Sequence, residues 1–319
     1  AASGAARFEH SAIDGQPEGI LIESQSTNLN PYSDALASWP TSGDVTLTSN
    51  ASLGPDGTLG ADLMVANTNN TGHYVRSSGI TVSASTSYTL SGYFKSVNGE
   101  KVRLSFFRGS SPYTGEASVK FTLSGSGTVS ASTGSGSITS VGNGWYKCTA
   151  TGTTLTTNSL IQVSTVSTGD AQDYAGNSYN GVLCAGIQFE SGSFASSLIS
   201  TSGATATRAA ESLSVGLSDI NQSPIGNAVS AVAEFDTNAN DAQFRRVMVL
   251  KDGTTGLRID PQVYSGTGYV YVANTSGGTT ELTNKSGAGT GFHTVAIGLD
   301  GTTANASFDG ATASTMSNA

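Results

Sequence analysis

The sequence predicts an all-β protein: two antiparallel β-sandwich domains in tandem. Three observations carry that expectation. Helix signals are nearly absent from the 319 residues, the one candidate being "SDALASW", where Ser33 or Asp34 would cap a single turn. Apolar and polar residues alternate over short runs, the period-two signature of half-buried strands. Clusters of Gly, Asn, Asp and Ser separate those runs at the spacing of sandwich connections.

Composition indicates a chain that folds. Charged residues make up only 12%, while 11 Tyr, 11 Phe and 2 Trp recur through the whole length and can build cores, unlike a disordered polyelectrolyte. The length suits two domains better than one. The net charge of −9 comes without a basic patch, which argues against nucleic acid as a partner, because neutralising phosphate needs Lys and Arg on one face. No apolar run reaches about 18 residues, so no membrane insertion is expected. The opening "AASGAARFEH" has no apolar core of the kind a signal peptide needs.

The strands follow in order. "SYTLSGYFKS" turns Tyr88, Leu90 and Phe94 one way and Thr89, Ser91, Tyr93 and Lys95 the other. "KVRLSFF" points Val102, Leu104 and Phe106 inward and Arg103, Ser105 and Phe107 outward. "WYKCTATG" aligns Tyr146, Cys148 and Ala150, with Trp145 at the edge of the core. "GVLCAGIQFE" is apolar on both faces, as in a central strand covered on both sides. The low-complexity stretch "SGSGTVSASTGSGSITSVG" is broken by Val129 and Ile138 and reads as two edge-strand pieces. A boundary is expected near residues 203–225, where large side chains thin out and Pro224 stands. A second set of strands then starts, with hairpin turns at Asp252-Gly253, Asp300-Gly301 and Asp309-Gly310.

Catalytic signatures do not appear: no G-x-S-x-G elbow, H-E-x-x-H pair, P-loop or G-x-G-x-x-G. His10, His73 and His293 lack metal-ligand spacing, and the groups Glu9, Glu18, Glu23 and Asp170, Asp173 read as solvated loop acids. No catalytic residue and no enzyme activity are expected. Cys148 and Cys184 both sit in expected strands, either as buried thiols or as a disulfide between neighbouring strands. If the strands around residues 93 and 103 pair, Tyr93, Lys95, Arg103 and Phe107 make one polar and aromatic face. Such a face suits a glycan, with rings against sugar C–H surfaces and polar groups reading hydroxyls. A subunit interface or an ordinary exposed sheet face is the competing reading.

Four segments occur in a familiar order: "RFEHSAIDGQPEGILIESQSTNL" at 7–29, "NGWYKC" at 143–148, "AGIQFESGSFASSLIST" at 185–201 and "ATRAAE" at 206–211. Together they resemble a module of bacteriophage tail-fibre, spike and other appendage proteins. The resemblance implies a leader over 1–30, a carbohydrate-binding-module-like jelly roll over 31–212, and over 213–319 the opening strands of a concanavalin/laminin-G-like sandwich, incomplete as given. It implies that Ile20, Leu21 and Ile22 plug onto the sandwich as an apolar tie, with Glu23 marking the return to the surface. Gln188, Glu190 and Arg208 fall on motif positions, and an ion pair between Glu190 and Arg208 would fasten the end of the domain to its body. The tail "FASSLIST" lacks the proline and tyrosine common in the family, which bears on how that segment docks. Jelly rolls of this kind can carry a structural Ca²⁺, for which Asp170, Asp173 and Asn177 are the candidates; no other cofactor is implied. The function implied is that of a non-enzymatic virion protein on the particle surface, a homo-oligomer, as a trimer, among other virion proteins and in contact with host surface polysaccharide. The alternatives are accessory carbohydrate-binding modules of a secreted polysaccharide-degrading enzyme, or a structural piece with no ligand.

Overall fold

The computed structural model describes residues 7–10, 17–99 and 101–211, and beyond them 228–237, 245–246, 250–251, 258–264, 267–273, 279–286, 291–300, 303–310 and 314–317. For the residues up to 20, and for most of those beyond 227, the description is of backbone alone. The chain divides into two units, Ala1–Leu213 and Ser214–Ala319. Both are antiparallel β structures, and the only helix among the described residues is a 3-10 turn, Leu36–Ser38.

The first unit opens with a hairpin of β1 (Arg7–His10) and β2 (Pro17–Leu21), followed by β3 (Ser26–Asn28). Short strands come next: β4 (Thr41–Ser42), β5 (Val45–Leu53), β6 (Leu59–Ala66), β7 (Thr71–Gly72), β8 (Tyr74–Arg76) and β9 (Ile80–Thr81). The body is made by β10 (Ser87–Val97), β11 (Lys101–Arg108), β12 (Gly115–Thr122), β13 (Thr128–Thr133), β14 (Ser135–Ser140), β15 (Tyr146–Thr153) and β16 (Asn158–Val166). It closes with β17 (Asp173–Tyr174), β18 (Gly181–Ser191) and β19 (Ala206–Arg208). Two sheets face each other, one in the order β14-β15-β10-β18-β6-β5, the other β13-β12-β11-β16-β8-β4 with β9 also on β16.

Period-two alternation decides what lies between the sheets. Leu90 and Phe94 from one sheet meet Leu104, Phe106 and Phe121 from the other, all at full burial. Phe189 stacks on Tyr88 at 5.3 Å and tilts against Phe106 at 5.2 Å. Each such side chain contributes about 1.5–3 kcal/mol by leaving water. The core is dense enough to require a glycine: a Cβ on Gly92 would stand 2.6 Å from Ile187 Cδ1. The Ser/Thr/Gly stretch becomes β13 and β14, edge strands of different sheets.

Consecutive strands need not share a sheet. β10 and β11 are separated only by residues 98–100, yet they stack across the core instead of pairing. An arch and a hairpin leave the same alternation in a sequence, since both turn one face of each strand inward. The proposed joint face of Tyr93, Lys95, Arg103 and Phe107 therefore does not form. Tyr93 and Lys95 belong to the outer side of one sheet, Arg103 and Phe107 to the outer side of the other.

The outer side of β18 explains why all but its last residue are buried. Residues 23–34 and 193–211 close over it as a polar clasp. Asn28 donates to Ile199 O at 2.9 Å while its Oδ1 accepts Phe189 N and Asn30 N, both at 3.0 Å. Gln188 Oε1 accepts Ile199 N at 2.7 Å. Glu190 accepts hydrogen bonds from Ser196 N and Oγ, from Ser26 Oγ and from Gln188. β3 pairs with β19, setting Ser26 opposite Arg208. The Thr-Asn-Leu, Gln-x-Glu and Thr-Arg-Ala segments thus meet at one place.

This clasp corrects three expectations. The ion pair joins Arg208 to Glu23, at 3.2 Å; Glu190 feels Arg208 only through space. Glu23 is not a return to the surface: its carboxylate also accepts Ser197 N and Oγ, and its backbone exchanges bonds with Glu211. Leu21 and Ile22 do not plug onto the sandwich as a buried tie. Ile22 is 49% exposed, Leu21 is half-buried, and β2 pairs with β1, Phe8 opposite Ile20, rather than with the sandwich. The side chain of Ile20 lies outside the described residues. A fourth correction concerns the short turn. Neither Ser33 nor Asp34 caps it; Leu36 N donates to the buried Asp62 at 2.8 Å, and Asp34 accepts Gly186 N.

In the second unit β20 (Ala228–Thr237), β26 (Gly291–Asp300), β27 (Thr303–Phe308) and β28 (Ser314–Ser317) form one sheet. The other contains β21 (Arg245–Arg246), β22 (Leu250–Lys251), β23 (Arg258–Tyr264), β24 (Thr267–Ala273) and β25 (Thr279–Ser286). Asp309 and Gly310 both have positive φ in the turn after β27. The expected boundary residue Pro224 and the turns Asp252-Gly253 and Asp300-Gly301 fall wholly or partly outside the described residues.

Candidate functional site

The outer face of the seven-stranded sheet gathers aromatic rings and cationic groups. Register builds it. Phe107, Ser105 and Arg103 project from β11; opposite them on β16 stand Leu160, Gln162 and Ser164; beyond these on β8 come Arg76 and Tyr74. Val75, Val163 and Phe106, on the alternate positions, fill the core.

Arg76 is the centre of the face. Its Nε and Nη2 both donate to Gln162 Oε1, at 2.9 and 2.7 Å. Its guanidinium carbon lies 4.8 Å from the centroids of two rings, Tyr74 and Phe107. Such a cation held between π-faces is attracted by about 0.5–2 kcal/mol per ring. Gln162 is fixed in turn, donating to Ser164 Oγ at 2.9 Å. Tyr113, 63% exposed in the loop after β11, meets Phe107 edge-on at 6.2 Å and extends the row of rings.

Arg103 lies one position along β11. Its Nη1 donates to Gln172 Oε1, on the segment between β16 and β17. Burial lowers its pKa, and the charge of Asp173 acts in the opposite sense. The Nε of Arg103 and the Oγ of Ser105 are both buried and have no hydrogen-bond partner. A buried polar group left unpaired costs about 1–3 kcal/mol.

The same segment organises the rim. Asp170 binds Lys101 at 2.9 Å and Lys120 at 3.6 Å, which holds its carboxyl below the usual value. Tyr174 donates its hydroxyl to Thr165 Oγ1 at 2.8 Å. Buried His73 faces the carbonyl oxygens of Asp44 and Tyr174 with its two ring nitrogens and meets the Tyr174 ring edge-on at 4.6 Å. Two of the three calcium candidates are committed elsewhere. Asp170 serves the two lysines, and Asn177 Oδ1 accepts Tyr179 N and Asn180 N; Asp173 pairs with Gly72 through its backbone, and its charge acts on Arg103. Among the described residues no group of three or more His, Cys, Asp or Glu converges as metal ligands.

Of the four residues chosen from sequence, Arg103 and Phe107 lie on this face. Tyr93 packs with Trp145, Ala61, Leu183 and Ala185 on the far sheet; burial, then the charges of Asp56 and Glu23, raise its pKa. Lys95 runs beside Gly144 on that same sheet. Sequence reasoning missed Tyr74, Arg76, Tyr113 and Gln162. A signal existed for two of them: "HYVRSS" alternates around the buried Val75, which turns Tyr74 and Arg76 to the same outer side.

Two further polar places lie elsewhere in the chain. In the depression lined by Ser87, Gly115, Glu116, Thr133 and Leu155, the carboxylate is already used, accepting Leu155 N at 2.6 Å and Ser159 Oγ. In the second unit His293 bonds Asp309 at 2.9 Å, and Asp309 also accepts Thr294 N at 2.8 Å, which braces a turn.

No protein-family model matches the chain, and no curated protein matches it. Among solved structures, domains LG4-5 of the mouse laminin alpha1 chain align with 93% of this chain and 79% of that one, at 7% identity and a TM-score of 0.24. So distant a likeness carries no argument here.

Proposed function

We propose that this chain is a non-enzymatic structural protein of a bacteriophage virion, displayed on the particle surface, whose first sandwich binds host surface glycan through the outer face of β8, β11 and β16. The observation that carries the glycan reading is the row Tyr74, Arg76 and Phe107, two rings and a guanidinium set by the sheet, extended by Tyr113 from the loop after β11. Preset aromatic faces with a few polar groups between them fit a saccharide, whose C–H surfaces stack and whose hydroxyls need donors. The virion reading is supported by three of the four motif segments, which meet in one clasp and so behave as the parts of a single module. In this reading the protein works as a homo-oligomer, a trimer, beside other virion proteins, and the second unit is a laminin-G-like sandwich.

A glycan array tests the site. Wild-type protein should bind surface polysaccharides of a bacterial host, and Phe107→Ala or Tyr113→Ala should weaken binding about tenfold, with the melting temperature unchanged for exposed Tyr113→Ala and lowered by a few degrees for Phe107→Ala, which also removes a ring from Arg76. Binding that survives both changes would remove the site. Mass spectrometry of purified phage particles tests the setting: the protein should be found in them. A catalytic domain in the same full-length chain would instead favour an accessory module of a polysaccharide-degrading enzyme.

A further inference from the structure

We propose that the saccharide taken by this face is acidic, with a carboxylate seated between the guanidinium groups of Arg76 and Arg103; this rests on the glycan reading above.

The charge pattern comes first. The chain carries a net −9, yet five of its 14 Lys and Arg stand on or at the ends of β8, β11 and β12: Arg76, Lys101, Arg103, Arg108 and Lys120. Their pairing differs. Lys101 and Lys120 are answered by the Asp170 carboxylate. Arg76 and Arg103 are hydrogen-bonded by amide oxygens, from Gln162 and Gln172; among the described residues no carboxylate is in ion-pair contact with either, and the charge of Asp173 reaches Arg103 only through space. A neutral oxygen satisfies an N–H without bringing an opposite charge into contact, and a carboxylate supplies both the acceptor and the charge.

The second observation is independent of charge. Ser105 is 6% exposed, lies between Arg103 and Phe107 along β11 and opposite Gln162, and its hydroxyl has no partner. The Arg103 Nε beside it is also buried and unpartnered. Native proteins pair such groups as a rule. Two donors without acceptors, on adjacent outward positions of one strand, call for an oxygen at that spot. Gln172, on the segment that reaches over Arg103, holds the place with a neutral carbonyl that an acid can displace. The rings of Tyr74, Phe107 and Tyr113 then lie where the sugar attached to the carboxylate extends.

Calorimetry on the intact chain decides the matter, with oligogalacturonate and a sialylated oligosaccharide as acidic probes, neutral oligosaccharides of matching length, and inorganic phosphate alone. The expected result is acidic probes bound about tenfold or more tightly than neutral ones. Raised salt should narrow that preference. Arg76→Gln and Arg103→Gln should each abolish it. The wild-type comparison stands even if a variant fails to fold. Neutral and acidic probes bound equally would overturn this inference and leave the glycan reading intact. Binding of phosphate alone, or of no saccharide, would overturn both.

Discussion

Arg208, at the end of β19, and Glu23, in the segment leading into β3, are joined at 3.2 Å. Both side chains are mostly covered, and each also bonds Ser197. The pair thus locks three separate segments on the outer side of β18. Removing either partner leaves the other charge partly desolvated, costing roughly 1–3 kcal/mol. Glu23→Ala and Arg208→Ala should each lower the melting temperature of the first unit, by about 2–4 °C per kcal/mol. The double variant should be hardly worse than either single one. Additive losses in a double-mutant cycle would show that the two residues act separately.

Glu190 makes stability depend on pH in a defined direction. Burial raises its carboxyl above the ordinary 4.5, against the pull of bonds from Ser196 and Ser26 and the charge of Arg208. The folded pKa therefore exceeds the unfolded one. Between the two values the native state holds the proton and the unfolded state has lost it, so stability falls as pH rises through that window. Asp62, raised mainly by burial, acts with the same sign. Urea titrations from 4.5 up toward neutrality should show this decline, and Glu190→Gln should flatten it. A slope unchanged in the variant would mean that other groups cause it.

How much of this was legible in the sequence depends on what period two encodes. It reports which residues of a strand share a face, so the inward sets of β10 and β11 could be read directly. It does not report which strand lies alongside. Asn98 and Gly99, both at positive φ, carry the chain from one sheet to the other where a hairpin would have kept it in the same sheet. The candidate face failed at that link, and half of its residues belonged elsewhere. The clasp was legible as a set of motifs but not as a set of pairs, because Glu190 and Glu23 are both carboxylates within the same motif constellation. Only packing determines which of them Arg208 reaches.

Gly152 marks a close approach of the two sheets. A Cβ there would stand 2.1 Å from the backbone oxygen of Glu116, on the opposite sheet, and backbone cannot rotate out of the way as a side chain does. Gly152→Ala should cost at least the ~1–3 kcal/mol of an overpacked core. Gly60→Ala, in β6 with nothing within 4 Å of its Cβ, is the matched control and should leave the melting temperature unchanged or slightly raised. Equal effects at the two positions would show that the sheets can part there without cost.

Cys148 and Cys184 flank β10, opposite Gly92 and Phe94, and face the core as separate thiols. Burial pushes both pKa values well up; the charge of Asp62 adds to the effect at Cys184, and Cys184 adds to it at Cys148. Reaction requires the thiolate, so both the low thiolate fraction and the lack of access oppose it. Native protein should therefore release no colour with a thiol reagent at neutral pH, while the urea-unfolded chain should titrate two thiols. Reductant should leave the melting temperature where it was. A fast native reaction would place one thiol at the surface, and a melting temperature that falls with reductant would mean that the two sulfurs are joined, which the placement of β10 between them forbids.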